Sequence, residues 1–160
     1  GELQISFNTI VTIVVSVLLM IALQMLVKNT KMGKAMRAVS EDPGASQLMG
    51  INTNKVVSFT FALGSALAAV GAVLYCCSYP QATPTMGMLP GLKAFVAAVL
   101  GGIGSIPGAM VGGFILGIAE VLTKAYISTQ LADAVVFGIL IVVLLFKPDG
   151  LMGKNVAEKV

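Results

Sequence analysis

The sequence predicts an all-α fold, a polytopic bundle of transmembrane helices. Of its 160 residues, 57% are hydrophobic and only 11% are charged, against roughly 45–50% and about 25% in a soluble domain. The mean hydropathy is +0.96, and the chain contains 18 glycines but no Trp and no His, a composition typical of closely packed membrane helices. These observations exclude a soluble globular protein.

Two long apolar runs each meet the requirement for a membrane span. A span needs about 20 mostly apolar residues, because every backbone N–H and C=O must be paired within the helix where no water is available. Residues 10–27 contain no charge and only three polar side chains, and residues 56–77 form the second predicted span. Within that second span, Gly64, Ala68 and Gly71 mark a face of small residues suited to helix packing.

The third apolar region is interrupted by glycine and proline. As one helix, residues 92–126 would measure about 52 Å, whereas the hydrocarbon core is about 30 Å thick. A continuous helix also tolerates poorly the glycines that cluster around Pro107. We therefore predict a broken helical hairpin, with a first arm at 92–105, either a short crossing or a re-entrant half-helix, and a second arm at 109–126. The last apolar run, 132–146, is predicted to be the final span.

The cationic residues predict the orientation. Residues 28–55 contain five of the ten Lys and Arg side chains, and the tail at 147–160 contains three more. Cationic loops lie on the cytoplasmic side of a membrane, so an even number of crossings must separate these two segments, and the hairpin must enter the membrane and return. The prediction is a single multi-pass domain, 1–160, in the cell membrane, with the loop 28–55 and the carboxyl terminus in the cytoplasm.

The loop at 28–55 is too long for a simple turn and is predicted to contain two short helices. Asp42 is a suitable N-cap for the second helix, with Pro43 at its first position and Gly50 as its terminator. This helix would present Leu48 and its neighbours as a small apolar face, suited to a shallow groove on a partner. The alternative is an ordinary cationic loop lying on lipid headgroups.

The glycine-rich break has two interpretations. Irregular backbone at membrane depth is tolerated where it lines a cavity or is buried in protein, and a helix that restarts near Ala109 would favour a carboxylate at its N-terminus. Alternatively, Gly104, Gly108 and Gly112, spaced by four, let two helices approach closely. The candidate residues for a translocation pathway at the break are Gly101, Gly102, Gly104, Ser105 and Pro107.

Glu120 is a further candidate for the pathway. It lies about two turns inside the end of its predicted helix, where a charge in lipid is costly and commonly functional. Lys124 follows it by four residues, a spacing that supports a helical ion pair. By contrast, Lys93, Lys124 and Asp133 fall near predicted outer helix ends and are expected at the membrane interface.

The sequence contains no motif for nucleotide binding, metal binding or catalysis. Gly33 and Lys34 lack both the earlier glycine and the following Ser or Thr of a phosphate-binding loop, and Cys76 and Cys77 are adjacent rather than spaced as a CxxC pair. Without His, a Ser-His or Cys-His catalytic pair is also excluded. We therefore predict no catalytic residue, no metal and no cofactor, and the net charge of +3 does not indicate nucleic acid. The protein is not expected to be an enzyme.

Three stretches resemble the permeases of branched-chain amino-acid ABC transporters. They are KMGKAMRAVSED at 31–42 with QLMGIN at 47–52, GLKAFVAAVLGGIGSIPGA at 91–109, and KPDGLMGK at 147–154. The stretches occur in the family's order and cover nearly all of this chain, but only about the C-terminal half of such a permease. We therefore expect the chain, which begins at Gly1, to be part of a longer protein or a processed product.

The resemblance implies a permease subunit that moves leucine, isoleucine and valine by alternating access, driven by separate ATPase subunits. It also implies a second permease subunit, an extracytoplasmic amino-acid-binding protein and membrane lipid as partners. Residues 38–51 would then be a cytoplasmic coupling loop, with candidate contacts to the ATPase at Ala38, Ser40, Glu41, Asp42, Leu48, Gly50 and Ile51. The alternatives are a permease for urea, short amides or another small polar solute, and a membrane scaffold subunit that transports nothing.

Overall fold

The computed structural model describes residues 5–153, and within this range it contains seven α-helices and no strand. This confirms the predicted all-α membrane bundle. The helices group into two compact units, the first ending at Thr83 and the second beginning at Pro84. The helices are α1 (Phe7–Asn29), α2 (Lys31–Glu41), α3 (Pro43–Leu48), α4 (Thr53–Ser78), α5 (Met88–Gly101), α6 (Ile106–Tyr126) and α7 (Ala132–Phe146).

Three of the helices are long and apolar enough to cross a membrane. They are α1, α4 and α6, with 23, 26 and 21 residues, and the first two extend the predicted spans 10–27 and 56–77 by up to three residues at each end. The apolar helices α5 and α7 have 14 and 15 residues, which corresponds to about 21 and 22 Å. Both are therefore shorter than the hydrocarbon core of about 30 Å.

The first unit consists of α1 and α4 with the short helices α2 and α3 between them. Asn8, in the first turn of α1, donates a hydrogen bond of 3.0 Å to the carbonyl of Cys77 near the end of α4, so the two long helices run antiparallel. A Cβ built at Gly64 or Gly71 would meet no atom within 4 Å. The predicted packing face of α4 therefore has no contact at these positions among the described residues.

The second unit is a bundle of α5, α6 and α7 in mutual contact. Its core contains Val96 and Leu100 from α5, Leu116 from α6 and Val136 from α7, all buried. Partly buried side chains of α7 and Leu151 complete this cluster. Each of the three helices thus contributes an apolar stripe to one common core.

The break between α5 and α6 occupies residues 102–105, within the candidate stretch 101–107, but α5 ends at Gly101 rather than at 105 and α6 begins at Ile106 rather than at 109. Ser105 explains why α6 begins early. Its Oγ accepts a hydrogen bond of 3.2 Å from the N–H of Gly108, and Pro107 needs no N–H partner in the first turn. The hydroxyl therefore acts as the N-cap of a helix that starts three residues before the predicted position.

Candidate functional site

The candidate coupling segment, residues 38–51, comprises the end of α2, all of α3 and the turn that follows. Asp42 caps α3, because its Oδ1 accepts hydrogen bonds from the N–H groups of Gly44 at 2.9 Å and Ala45 at 3.0 Å. The Ser46 hydroxyl donates to the Asp42 carbonyl at 2.8 Å. Since the first-turn N–H groups of a helix have no partner within the helix, these bonds stabilise a helix that is otherwise too short to persist.

The C-terminus of α3 is closed by Gly50. Its φ is +83°, and its N–H donates to the Gln47 carbonyl while that of Ile51 donates to the Ser46 carbonyl, both at 3.0 Å. A Cβ at Gly50 would meet no atom within 4 Å. Glycine is therefore required here for its backbone conformation and not for space.

Two apolar side chains project from this segment. Leu48 is 90% exposed and Met49 is 83% exposed. An apolar pair on a helix held at both ends is suited to a groove on another protein. The candidate residues therefore lie on one continuous, braced segment, with Ser40, Glu41, Asp42 and Gly50 exposed and Ala38 and Ile51 partly buried.

No sequence motif predicts the open polar cleft beside Gly50. The cleft has a volume of about 290 Å³ and is lined by Gln47, Gly50, Ile51, Asn52, Thr53 and Asn54. The Oγ1 of Thr53 is buried and has no hydrogen-bond partner among residues 5–153. The one sequence feature at this place is the polar run 52–54, which is separated from the second predicted span by Lys55.

The candidate pathway residues at the break include two glycines in the left-handed region. Gly102 has a φ of +104° and Gly104 a φ of +88°, conformations that other residues rarely adopt. Their surroundings differ, since Gly102 is buried and Gly104 is exposed. A Cβ would overlap the backbone of Gly153 at the first position and meet nothing within 4 Å at the second.

Small residues bring α5 and α6 into backbone contact next to the break. A Cβ at Gly101 would overlap the Gly108 carbonyl, and one at Gly108 would overlap the Gly101 carbonyl. One turn further along, a Cβ at Gly112 would overlap the carbonyl of Ala97. Gly108 and Gly112 thus serve helix packing, one of the two interpretations that the sequence left open, whereas Gly104 lies outside this contact.

The segment that follows α7, residues 147–153, closes over the break, and we call it the C-terminal clasp. The N–H of Leu151 donates to the Leu100 carbonyl at 2.8 Å, and the N–H of Met152 donates to the Gly101 carbonyl at 2.9 Å. The last carbonyls of a helix have no partner within it, so the clasp satisfies those at the end of α5. The rest of the predicted tail, including Lys154 and Lys159, lies outside the described residues.

The clasp fits closely because glycines form its contact with the break. A Cβ at Gly150 would lie 2.6 Å from the Cα of Gly102. Gly150 has a φ of +78°, and Lys147 donates from its Nζ to the Leu151 carbonyl at 2.8 Å. Part of the backbone at the break is therefore paired internally, while Ile103 and Gly104 remain exposed.

The structure brings five of the six candidate pathway residues together and separates the sixth. Gly101, Gly102, Gly104, Ser105 and Pro107 lie at one end of the hairpin. Glu120 follows Pro107 by 13 residues on α6, about 20 Å along the helix axis. Glu120 therefore lies near the opposite end of the second unit.

At that opposite end, Glu120 belongs to an ion network that joins α5, α6 and α7. Lys93 Nζ lies 2.8 Å from Glu120 Oε1 and 2.8 Å from Asp133 Oδ1, and Lys124 Nζ lies 2.5 Å from Glu120 Oε1. The spacing of four between Glu120 and Lys124 predicts the last pair, but the contacts between helices are not predicted. The sequence feature that could have indicated the ion pairs between helices is that three neighbouring apolar helices each carry a charge near the same end.

The network contains two cations and two anions, so it is neutral as a whole. Its central pair is partly shielded, with the side chains of Lys93 and Glu120 25% and 19% exposed. Among residues 5–153, no group of three His, Cys, Asp or Glu side chains is arranged to hold a metal ion. The arrangement suits structural pairing between helices.

Comparison with known proteins gives a consistent result. A family model described as "Branched-chain amino acid transport system / permease component" matches residues 2–145. The high-affinity branched-chain amino acid transport system permease protein LivH of Escherichia coli (strain K12) is 51% identical over 147 residues, covering 92% of this chain and 48% of the relative. The corresponding permease protein BraD of Pseudomonas aeruginosa is 48% identical over 156 residues, covering 98% of this chain and 51% of the relative.

More distant relatives match over a similar region. The probable branched-chain amino acid transport permease protein LivH of Methanocaldococcus jannaschii is 36% identical over 146 residues, covering 87% of this chain and 46% of the relative. The chain spans about half the length of these curated relatives. No solved structure matches it.

Proposed function

Because this chain belongs to the permease-component family of branched-chain amino acid transport systems, we propose that it acts as a membrane-spanning subunit of an ABC importer for leucine, isoleucine and valine. The observation that carries the proposal is its 51% identity to such a permease over 92% of the chain. The three long apolar helices support a multi-pass membrane protein. As members of this family are named as transport components, the chain contributes a path through the membrane and not a chemical reaction.

The energy for uptake comes from separate ATPase subunits in this proposal, since the sequence carries no phosphate-binding loop. The coupling segment, residues 38–51, is the proposed contact with them. The Asp42 cap and the Gly50 turn hold α3 at both ends, and Leu48 and Met49 offer an exposed apolar surface. A braced segment of this kind can transmit movement of a partner to the membrane helices on either side of it.

The candidate pathway residues are proposed to act at the two ends of the second unit. The positive-inside pattern supports a cytoplasmic location for the residues after α7, and the clasp formed by those residues contacts the break. We therefore place Gly101, Gly102, Gly104, Ser105 and Pro107 at the cytoplasmic end of the pathway. Glu120 is placed near the opposite end, which would face an extracytoplasmic binding protein. A second permease subunit would complete the pathway.

The test is reconstitution in proteoliposomes of the native protein that carries this sequence, together with the ATPase subunits, the second permease subunit and the binding protein. We expect leucine to stimulate ATP hydrolysis and to accumulate in the vesicles, with isoleucine and valine competing. Stimulation by urea or acetamide in place of leucine would assign the chain to a different solute. A lack of stimulation by every solute, with all subunits assembled, would favour a scaffold subunit. The matched control is the assembly without binding protein.

A further inference from the structure

A row of cations lies on the exposed side of the junction between α1 and α2. We call it the basic stripe, and its members, all exposed, are Lys28, Lys31, Lys34 and Arg37. Lys31, Lys34 and Arg37 repeat every three residues on α2, a spacing that keeps side chains on neighbouring positions of a helix surface, and Lys28 lies in the last turn of α1. The other side of α2 holds the buried residues Gly33 and Val39. Among residues 5–153, none of the four cations forms an ion pair.

The local packing fixes the stripe close to the end of α1. The Oγ1 of Thr30 accepts a hydrogen bond of 3.0 Å from the N–H of Gly33 and donates one of 2.5 Å to the Leu26 carbonyl. A Cβ at Gly33 would overlap the carbonyls of Leu26 and Val27. The chain therefore turns sharply after α1, and the first turn of α2 lies against the last turn of a helix long enough to span the membrane.

We infer that the basic stripe binds the headgroup of an anionic phospholipid in the cytoplasmic leaflet. Four or more cations next to a membrane span, or on an amphipathic helix at its end, attract anionic lipid. The acid on α2 is Glu41, at the far end of the helix from Lys31, so the stripe carries a net positive charge toward its surroundings. The inference rests on the cytoplasmic placement of residues 28–55 in the proposed function, but not on any transported solute.

A protein partner fits the stripe less well than lipid does. The apolar side chains that suit a protein groove, Leu48 and Met49, are on α3, whereas the stripe begins in the last turn of α1. Side chains held against the end of a membrane span lie at the depth of lipid headgroups. Charge complementarity and position therefore both favour anionic lipid as the ligand of the basic stripe.

The absence of Trp from the chain allows a direct test. The variant Asn29→Trp places a single fluorophore beside the stripe, and the full chain is reconstituted in phosphatidylcholine nanodiscs containing either brominated phosphatidylglycerol or brominated phosphatidylcholine at the same mole fraction. We expect phosphatidylglycerol to quench the fluorescence several-fold more strongly. The relative affinity for phosphatidylglycerol is expected to fall by roughly fivefold per cation removed at low salt, and the difference in quenching is expected to weaken as salt is raised.

Two sets of substitutions in the same reporter chain make the test specific. The triple variant Lys31→Gln, Lys34→Gln and Arg37→Gln keeps helix-forming side chains and is expected to lose the preference. The triple variant Lys31→Arg, Lys34→Arg and Arg37→Lys keeps the charge and is expected to retain it. Circular dichroism checks that both variants keep the helical content of the reporter chain.

Equal quenching by the two lipids in the reporter chain would overturn the inference. A preference that persists in the Gln variant would do the same, because the lipid would then bind elsewhere. Loss of ATPase-subunit binding in the Gln variant, with lipid preference unchanged, would identify the stripe as a protein contact instead. Since the measurement needs no transport, its failure is distinguishable from failure of the proposed function.

Discussion

Lys93 Nζ lies 2.8 Å from Glu120 Oε1, which joins the two arms of the α5–α6 hairpin at the end away from the break. The Nζ of Lys93 also lies 2.8 Å from Oδ1 of Asp133 on α7. The side chain of Lys93 therefore links α5 to both α6 and α7. Attraction between charges strengthens as water is excluded. The second unit is therefore fastened at both ends, by this network at one and by the C-terminal clasp at the other.

The first prediction is that Glu120→Gln lowers the stability of the second unit more than Lys124→Gln does. Removing Glu120 leaves partly shielded Lys93 without one of its two acids, which should cost about 1–3 kcal/mol, between the values for exposed and buried pairs. Lys124 makes only the pair within α6, worth about 0.5 kcal/mol. Thermal unfolding of the two variants in the same detergent measures the difference, and equal shifts in Tm would contradict the assigned roles.

The second prediction compares two glycines of the break. Both have positive φ, so an alanine at either position should cost about 1–2 kcal/mol from the backbone alone. Gly102→Ala also places a Cβ into the backbone of the clasp, whereas Gly104→Ala meets open space. We expect Gly102→Ala to release the clasp and to raise the labelling rate of Leu151→Cys by thiol reagents, because the side chain at 151 is partly buried against the core of the second unit, while Gly104→Ala leaves that labelling rate unchanged. Identical rates in the two variants would rule out a packed clasp.

Much of the second unit was accessible from its sequence because hydrophobicity and glycine spacing are local signals. The composition of the third apolar region predicts a broken hairpin, and the spacing of Gly108 and Gly112 predicts close packing on α5. The clasp depends on the Leu100 and Gly101 carbonyls meeting N–H groups some 50 residues later. Backbone hydrogen bonds between distant segments leave no side-chain pattern, so the sequence predicts a tail that starts at residue 147 but not its contact with the break.

The third prediction concerns the seam between α5 and α6. Gly112→Val would push a branched side chain into the carbonyl of Ala97, whereas Gly117→Val on the same helix has no atom within 4 Å of its Cβ. Overpacking of a closed contact typically costs about 1–3 kcal/mol. We expect the first variant to unfold at a lower temperature than the parent chain and the second to differ little from it. A larger loss for Gly117→Val would show that the seam is on another face.

The fourth prediction distinguishes the role of Asp42 as the N-cap of α3 from the effect of its negative charge. Asp42→Asn keeps an oxygen that can accept the Gly44 and Ala45 hydrogen bonds, Asp42→Ala removes it at a cost of about 1 kcal/mol, and Asp42→Lys also reverses the charge. In the reconstituted importer we expect Asp42→Asn to retain leucine uptake and Asp42→Lys to uncouple ATP hydrolysis from uptake, with normal insertion. Gly50→Pro is expected to uncouple as well, because Pro cannot adopt the positive φ at this turn. Unchanged uptake in Asp42→Lys would count against coupling through α3.

The coupling segment shows why helix-capping residues are easier to predict from sequence than clefts formed between helices. Asp42 and Gly50 carry their signals in their own residue types, and the structure gives them the predicted roles as cap and terminator. The polar cleft beside Gly50 depends on how the end of α3 faces the start of α4. The contacts of Lys93 likewise depend on the mutual rotation of three helices, which apolar periodicity leaves undetermined.

The central proposal, which rests on the positive-inside pattern, is that the coupling segment and the C-terminal clasp lie on the same, cytoplasmic side of the membrane. It is tested most directly by single-cysteine labelling in intact cells, after Cys76 and Cys77 are replaced by Ser. With a membrane-impermeant maleimide, we predict that Thr129→Cys is labelled in intact cells, and that Ser40→Cys and Met152→Cys are labelled only after permeabilisation. Labelling of Met152→Cys in intact cells, with Ser40→Cys still protected, would contradict the claim.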